Sequence, residues 1–317
     1  MTAQRFILNT AVAEGLDVIG DRWALRILQE IFNGKSRFEE FRQGTGASRA
    51  TLTRRLNGLI TNDILYKRPY SSATNRFEYK LTEKGLDLFG ASLLARQWEL
   101  DWVAPQSVNS PTKLFHTRCQ QVLLPRVVCR HCRQALHIDD VEWQSLEQEL
   151  KDQLGEIKSI NKHRRVRATS AAQLRETKLA DLIGDRWTLL ILIVSFFGTH
   201  RYDDFLKQLN IAPAILVARL TSLIDANIFE RQSYQNNPPR YNYKLTAKGK
   251  SLYPFTMALR QWALDWQSGD NTAPSLIHKS CGQPLCVDID CTACGQKPWT
   301  REVHLYADLT GKIEKAF

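Results

Sequence analysis

The sequence predicts a mainly α chain with small β hairpins (α+β), in which one domain occurs twice. Three observations carry that prediction. The stretch Asp17-Val-Ile-Gly-Asp-Arg-Trp23 returns as Asp181-Leu-Ile-Gly-Asp-Arg-Trp187, an offset of 164 residues. The offset then holds for about ninety residues: Phe38 answers to Tyr202, Leu52 to Leu216, Leu56 to Leu220, Tyr79-Lys-Leu-Thr82 to Tyr243-Lys-Leu-Thr246, Gly85 to Gly249 and Trp98 to Trp262. Finally, a His-x2-Cys-x9-Cys-x2-Cys pattern follows each copy with identical spacing. Self-similarity at a fixed offset over this length is a duplicated domain.

Composition sets the bounds. A length of 317 residues suits two domains, or three with small additions. Hydrophobic content of 43% supports ordinary cores, and 24% charged residues argues against wholesale disorder. A formal charge of +10 and a pI near 9.3 point to a polyanionic partner or an acidic surface. The N-terminus lacks the basic region, apolar run and cleavage site of a signal peptide. The longest apolar run, Trp187 to Gly198, is too short to span a bilayer and reads as a core helix. The expectation is a soluble cytoplasmic protein with no membrane partner, whose seven cysteines are metal ligands or free thiols rather than disulfides.

In the first copy, apolar residues at helical spacing run from about Ile7 to Ile19, where Gly20 stops the helix. Asp21 caps the next helix, Arg22 to Phe32, and Asn33-Gly34 closes it. A short helix from Arg37 to Gln43 turns inward Phe38 and Phe41, and Gly44-Thr-Gly46 makes a tight connection. Ser48 caps Arg49 to Thr61, whose buried stripe is Leu52, Leu56, Leu59 and Ile60. Two short helices joined by a Gly-containing turn have the spacing of a helix-turn-helix. Leu65 to Tyr70 and Arg76 to Leu81 read as a hairpin around the loop Ser71 to Asn75. Thr82 then caps one long helix, Glu83 to about Trp102, with Glu83 where the helix dipole favours a carboxylate.

That order of elements is a winged helix. Gly-Asp-Arg-Trp, Arg37-Phe38, Ser48…Leu52-Thr53…Leu56, Tyr79-Lys-Leu-Thr-Glu-Lys-Gly85 and Trp98 together resemble the HxlR-type (MarR-like) family of bacterial transcription regulators. The resemblance covers both copies and implies binding to double-stranded DNA, the second helix of the turn entering the major groove and the wing touching phosphate or minor groove. With the leucines buried, Arg49, Thr53 and Arg54 project outward, while Ser48, Thr51 and Arg55 lie near the edge. Arginine pairs bidentately with guanine, and hydroxyls suit phosphates. The plain alternative is a solvated basic face. Arg76, at the base of the wing, suits a phosphate or an acidic partner.

The second copy keeps the scaffold and changes the reading helix. Ala212-Pro-Ala-Ile-Leu-Val-Ala-Arg219 replaces Ser48-Arg-Ala-Thr-Leu-Thr-Arg-Arg55, leaving Arg219 as the remaining charge expected to face bases. Ile215 and Val217 stand where the first copy has Thr51 and Thr53, a face better suited to protein contact or thymine methyls than to phosphate. The second wing still offers Arg231 and Arg240 beside an Asn236-Asn-Pro-Pro239 tip. Sequence reading is therefore expected mainly from the first copy. Family members generally pair as dimers through their terminal helices, so the resemblance implies either a homodimer or an intramolecular pseudo-dimer. Trp98, Trp102, Trp262 and Trp266 are candidates for that packing or for ordinary intradomain core.

The patterns after each copy are His116, Cys119, Cys129 and Cys132, and then His278, Cys281, Cys291 and Cys294. Zinc favours four tetrahedral sulfur and nitrogen ligands from short-spaced pairs. Each pattern reads as its own zinc-ribbon-like segment holding a structural zinc, with Pro125, Gly282 and Gly295 suited to knuckle turns; free buried thiols are the alternative. Cys286 lies off the pattern. A deaminase-like site would need His-x-Glu, but Thr-Arg and Lys-Ser follow the two histidines. No phosphate loop, dinucleotide fingerprint or catalytic triad stands out, so no enzyme is expected.

The domains read as 1–103, winged helix; 104–138, ribbon; 139–170, helical linker; 171–267, winged helix; and 268–317, ribbon. The linker carries Trp143, Leu146, Leu150 and Leu154 on one face, then the basic run Lys162 to Arg167. Val303 and Leu305 suggest one more strand in the tail. The whole reads as a bacterial, nucleoid-associated DNA-binding regulator, by resemblance more often a repressor. A protein-interaction module, or a switch answering an unidentified small molecule between helices, is the alternative.

Overall fold

The computed structural model describes residue 15 and residues 18–70, 76–103, 112–143, 179–266, 276–307 and 313–314. Most of the expected first helix, the wing loop Ser71 to Asn75, Leu146, Leu150, Leu154 and the basic run Lys162 to Arg167 lie outside them.

The first winged domain follows the local signals. α1 (Arg22–Phe32) starts where the Asp21 carboxylate accepts from the backbone NH of Trp23 and Ala24, and it buries Ala24, Ile27, Leu28, Ile31 and Phe32. Gly34 takes φ +83°, the left-handed value that ends such a helix. α2 (Phe38–Thr45) closes on Gly46 at φ +69°, which is the turn of the helix-turn-helix. Ser48 caps α3 (Arg49–Thr61) by accepting from Thr51 N, and Leu52, Leu56 and Leu59 are its buried stripe. β1 (Leu65–Pro69) and β2 (Phe77–Leu81) pair antiparallel, Leu65 facing Leu81 and Pro69 facing Phe77.

The long closing helix is two helices, not one. α4 (Glu83–Leu86) is capped by Thr82, and α5 (Phe89–Trp102) begins after a break. Asp87 and Leu88 keep right-handed φ but have ψ of −14° and −8°, which tightens the turn and interrupts the α-helical ladder. The bend lets Leu88 and Phe89 both enter the core. Gly85 is required just before it: a Cβ there would lie 2.2 Å from the Ile64 carbonyl oxygen.

After α5 come β3 (Thr112–His116), β4 (Gln121–Val122), β5 (Pro125–Cys129) and β6 (Val141–Trp143). The expected linker helix does not start at Asp139. A 3-10 turn, Ile138–Asp140, leads instead into β6, because that segment finds a partner strand in the second repeat.

The second winged domain repeats the plan: α6 (Leu179–Leu182), α7 (Arg186–Phe196), α8 (Tyr202–Leu209), α9 (Pro213–Asp225), β7 (Phe229–Asn236), β8 (Pro239–Leu245), α10 (Ala247–Lys250) and α11 (Tyr253–Trp266). α7 is apolar on all sides and accordingly buried, as its sequence predicts.

The repeats pack on each other through α5 and α11. Trp98 Nε1 donates to the Lys248 carbonyl and Trp262 Nε1 to the Lys84 carbonyl, a reciprocal pair. Trp266 Nε1 donates to Asp87, whereas Trp102 stays exposed. The buried Glu99 carboxylate accepts from Leu179 N, and Asp181 pairs with Arg22 and Arg26.

Last come β9 (Leu276–His278), β10 (Gln283–Pro284), β11 (Val287–Cys291), β12 (Val303–Ala307) and β13 (Ile313–Glu314). β12 is the tail strand that the sequence suggested. The two cysteine-bearing segments do not fold as separate ribbons. β5 pairs with β11, the order β10-β9-β6 adds a first-repeat strand to a second-repeat sheet, and β13-β12-β3-β4 does the converse. One interleaved module results.

Candidate nucleic-acid interface and metal centres

The outward face of α3 carries Ser48, Arg49, Thr53 and Arg54, all exposed, with Thr51 and Arg55 partly covered. Each arginine has a different attachment. Arg49 pairs with Glu39 at 2.6 Å and stands over the Phe38 ring, yet its side chain stays 70% exposed. The Arg42 hydrogen bond, helped by the charge of Arg49, holds Glu39 below the usual carboxylate range. Arg54 has no ion pair among the described residues, which leaves its guanidinium available. Arg55 leans back to Asp21, the cap of α1, at 2.8 Å. Ser48 Oγ donates to Thr51 Oγ1 at 3.0 Å, so the two hydroxyls form one polar corner at the helix start.

On the first wing, Arg76 is exposed and has no ion pair among the described residues. Its neighbours are more committed: Arg68 and Lys80 both pair with Glu78. Arg37 stacks over Tyr70 at 4.8 Å, and the second repeat repeats this contact with Arg201 over Tyr234 at 5.1 Å.

The second reading helix is different. α9 has Pro213 at its first turn, and its capping residue Ala212 offers no side-chain hydrogen bond. Ala214 and Ala218 are exposed, Val217 is 52% exposed, and Ile215 packs partly against the core. Arg219 does not face outward as expected. It is 7% exposed, and its Nε donates at 2.9 Å to Asp185, the carboxylate that also caps α7. Arg55 with Asp21 is the same pair in the first repeat, so this arginine ties the reading helix to the helix beneath it. The signal was present in the sequence: a duplicated acid, a duplicated arginine, and a position three residues beyond the buried Leu52 or Leu216, at the edge of the apolar stripe. Arg240 is half exposed and lies 3.9 Å from Asp203, while Arg231 stacks on Tyr241 at 4.2 Å.

The eight predicted metal ligands gather into two clusters, each with two buried and two half-buried members, but not repeat by repeat. His116 and Cys119 meet Cys291 and Cys294, while Cys129 and Cys132 meet His278 and Cys281. The reason is strand pairing. β5 and β11 run antiparallel with Cys129 opposite Val287 and Cys291 opposite Pro125, so each Cys-x2-Cys emerges at the other repeat's end of the ribbon. Each of the four short-spaced pairs ends in a left-handed residue: Gln120, Arg133, Gly282 and Gly295. Two of these are the glycines that the sequence marked. Arg133 is held by Asp288 and Asp290 across the repeats.

The donor geometry suits a tetrahedral cation. In the first cluster His116 Nδ1 lies 3.4 Å from Cys119 Sγ and 3.5 Å from Cys294 Sγ, with Cys119 and Cys291 sulfurs 3.9 Å apart. In the second, His278 Nδ1 lies 3.3 Å from Cys281 Sγ and 3.4 Å from Cys132 Sγ, and Cys129 and Cys281 sulfurs are 3.9 Å apart. Tetrahedral Zn–S and Zn–N bonds of about 2.3 and 2.05 Å put ligand atoms roughly 3.5–3.8 Å apart. Both imidazoles are fully buried and turn Nδ1 to the thiols. Both Nε2 atoms are buried without a hydrogen-bond partner among the described residues. Glu302 stands 3.6 Å from His116 Nε2, in the place of a carboxylate that orients a ligating histidine. Burial pushes the Cys291 thiol up to about 11. Cys286 belongs to neither cluster; its carbonyl accepts from Arg130 N.

The model of the HxlR-like helix-turn-helix family matches residues 18–107 and 182–271, more than half of the chain. The chain belongs to this family. An uncharacterized HTH-type transcriptional regulator of Mycobacterium tuberculosis is 39% identical over 122 residues, which span 38% of this chain and 77% of that protein. An uncharacterized HTH-type regulator of Synechocystis is 31% identical over 100 residues, 31% of this chain and 74% of its own length. YvaP of Bacillus subtilis, named likewise, is 31% identical over 93 residues, 29% of this chain and 86% of its own. One repeat's worth of chain thus matches most of each relative.

HxlR-like membership makes the protein a DNA-binding transcriptional regulator with two helix-turn-helix copies, and the named relatives are regulators rather than enzymes. All eight candidate ligands lie beyond the two matched regions. Among the described residues no helix is long and apolar enough to cross a membrane.

Proposed function

We propose that this HxlR-like protein is a cytoplasmic, nucleoid-associated repressor that reads duplex DNA mainly through α3. Arg54 carries the reading: it is exposed on a reading helix with no ion pair among the described residues, and α9 offers Val217 and two alanines on the matching face. Arg54 and Thr53 would reach base edges, while Arg49, Ser48 and Thr51 hold phosphates near the helix start. Arg76 on the first wing and Arg240 on the second would add backbone contacts. Arg55 positions the helix through Asp21 and contributes field rather than a base contact. The reciprocal tryptophan contacts support an intramolecular pseudo-dimer as the DNA-binding unit.

Both clusters fit structural zinc. Four protein ligands fill a tetrahedron and leave no position for water, so the chemistry supplied is cross-linking of thiolates and imidazoles, not hydrolysis. The exposed apolar face of α9 favours a second reading, in which that helix docks on a protein partner.

Genomic footprinting followed by gel-shift titration of the recovered site tests the first reading. Arg54→Ala should weaken specific binding while leaving binding to unrelated duplex nearly unchanged. Equal loss on both DNAs would reduce Arg54 to a general phosphate contact. Specific binding should also fall steeply with salt, as counterion release requires.

A further inference from the structure

We infer that the two metal centres are clamps between the repeats, each ion tying the His-x2-Cys of one repeat to the Cys-x2-Cys of the other and so holding α3 and α9 at a set spacing. The inference rests on the metal reading above and extends it to regulation.

Neither repeat can complete a centre alone, since each supplies two of the four ligands to each cluster. The strands that carry the ligands are shared in the same way, with β5 on β11, β3 on β12 and β6 on β9. This interleaved module is also in contact with both closing helices. α5 packs on β5, and α11 packs on β5 and β11. Gly90 of α5 sits so close to Ile289 of β11 that a Cβ would meet it at 2.9 Å. Gln261 of α11 accepts from Val287 N at 2.9 Å. The winged cores themselves contain no ligand: the stripes of α3 and α9 close on leucines within their own repeats. Withdrawing the ions therefore removes both metal cross-links between the halves without removing a core residue from either. Two buried imidazoles and six thiols would be left with weak thiol–imidazole contacts in place of metal–ligand bonds. Metal supply would then act on DNA binding through the distance between the two helices.

The test is metal stoichiometry on the full chain, loaded with zinc chloride and freed of excess. Wild type should carry two ions. C119S/C132S takes one ligand from each cluster, although both residues lie in one repeat, and should carry none. C119S/C294S takes two ligands from a single cluster and should keep one ion. If C119S/C132S keeps one ion and C119S/C294S none, the ligands pair within each repeat and the clamp is wrong while the metal reading stands. A wild type that takes up no zinc overturns both. In parallel, complete chelation of wild type should enlarge its radius of gyration in solution scattering, with helical circular dichroism retained and zinc restoring the compact form. Unchanged scattering after complete metal removal would show that the ions do not set the spacing.

Discussion

The two reading helices have the same length, thirteen residues each, and the same buried leucines, yet they present opposite chemistry outward. Leu52, Leu56 and Leu59 answer to Leu216, Leu220 and Leu223. Outward, Thr53 and Arg54 answer to Val217 and Ala218, and the Ser48 cap answers to Ala212. Positions facing the core keep their character because a change in volume or polarity there costs stability in any winged helix. Positions facing outward carry no such constraint and record what each helix touches. Arg55 and Arg219 refine the lesson: a charge retained in both copies belongs to the inner set, held by the acid that caps the helix below.

The sharpest check on that division is the scaffold itself. Gly85→Ala and Gly249→Ala should each cost about 3 kcal/mol in chemical denaturation, because the new Cβ would collide with the carbonyl of Ile64 or Ile228. Similar losses in both repeats would confirm a shared frame; a tolerated substitution in one would break the equivalence. Next, Arg219→Ala should destabilise by roughly 2–3 kcal/mol, since it strands Asp185 beneath α9 with its capping NH partners and the Thr188 hydroxyl but no cation. Arg55→Ala, more exposed, should cost about 1 kcal/mol or less. The reverse order would return Arg219 to the surface.

For binding, Arg54→Ala should cost about 1–2 kcal/mol on the footprinted site, a five- to thirtyfold weaker Kd, with an unchanged melting curve. Val217→Thr should change the same Kd less than twofold. Comparable losses from the two substitutions would mean that both helices read bases. The caps give a further small effect on stability. Ser48→Ala should lower stability by about 1 kcal/mol, and Ala212→Ser should raise it by a few tenths to 1 kcal/mol, both read from the denaturation midpoint.

Much of this was legible in the chain. The repeat announced the architecture, Asp21, Ser48 and Thr82 marked helix starts that the structure retains, and the Arg49–Thr61 helix has the predicted bounds. Those features are local: a cap, a turn glycine or an apolar stripe acts within one or two helical turns, so spacing along the chain suffices to specify it. The single closing helix failed because Asp87 and Leu88 bend to bury Leu88 and Phe89, a tertiary demand with no breaker residue at the bend. The linker helix failed at Val141 because a strand of the other repeat was there to pair with.

The amino-acid sequence by itself determined the duplicated winged scaffold, the basic face at Ser48 to Arg54, and which eight side chains can bind a metal. Only the tertiary structure decided which four belong together and that Arg219 points inward. Both depend on contacts between segments far apart along the chain: antiparallel pairing of β5 with β11 for the first, the seat of α9 on Asp185 for the second. Residue spacing encodes what a turn can reach, whereas which remote strand lies alongside is set by the packing of the whole.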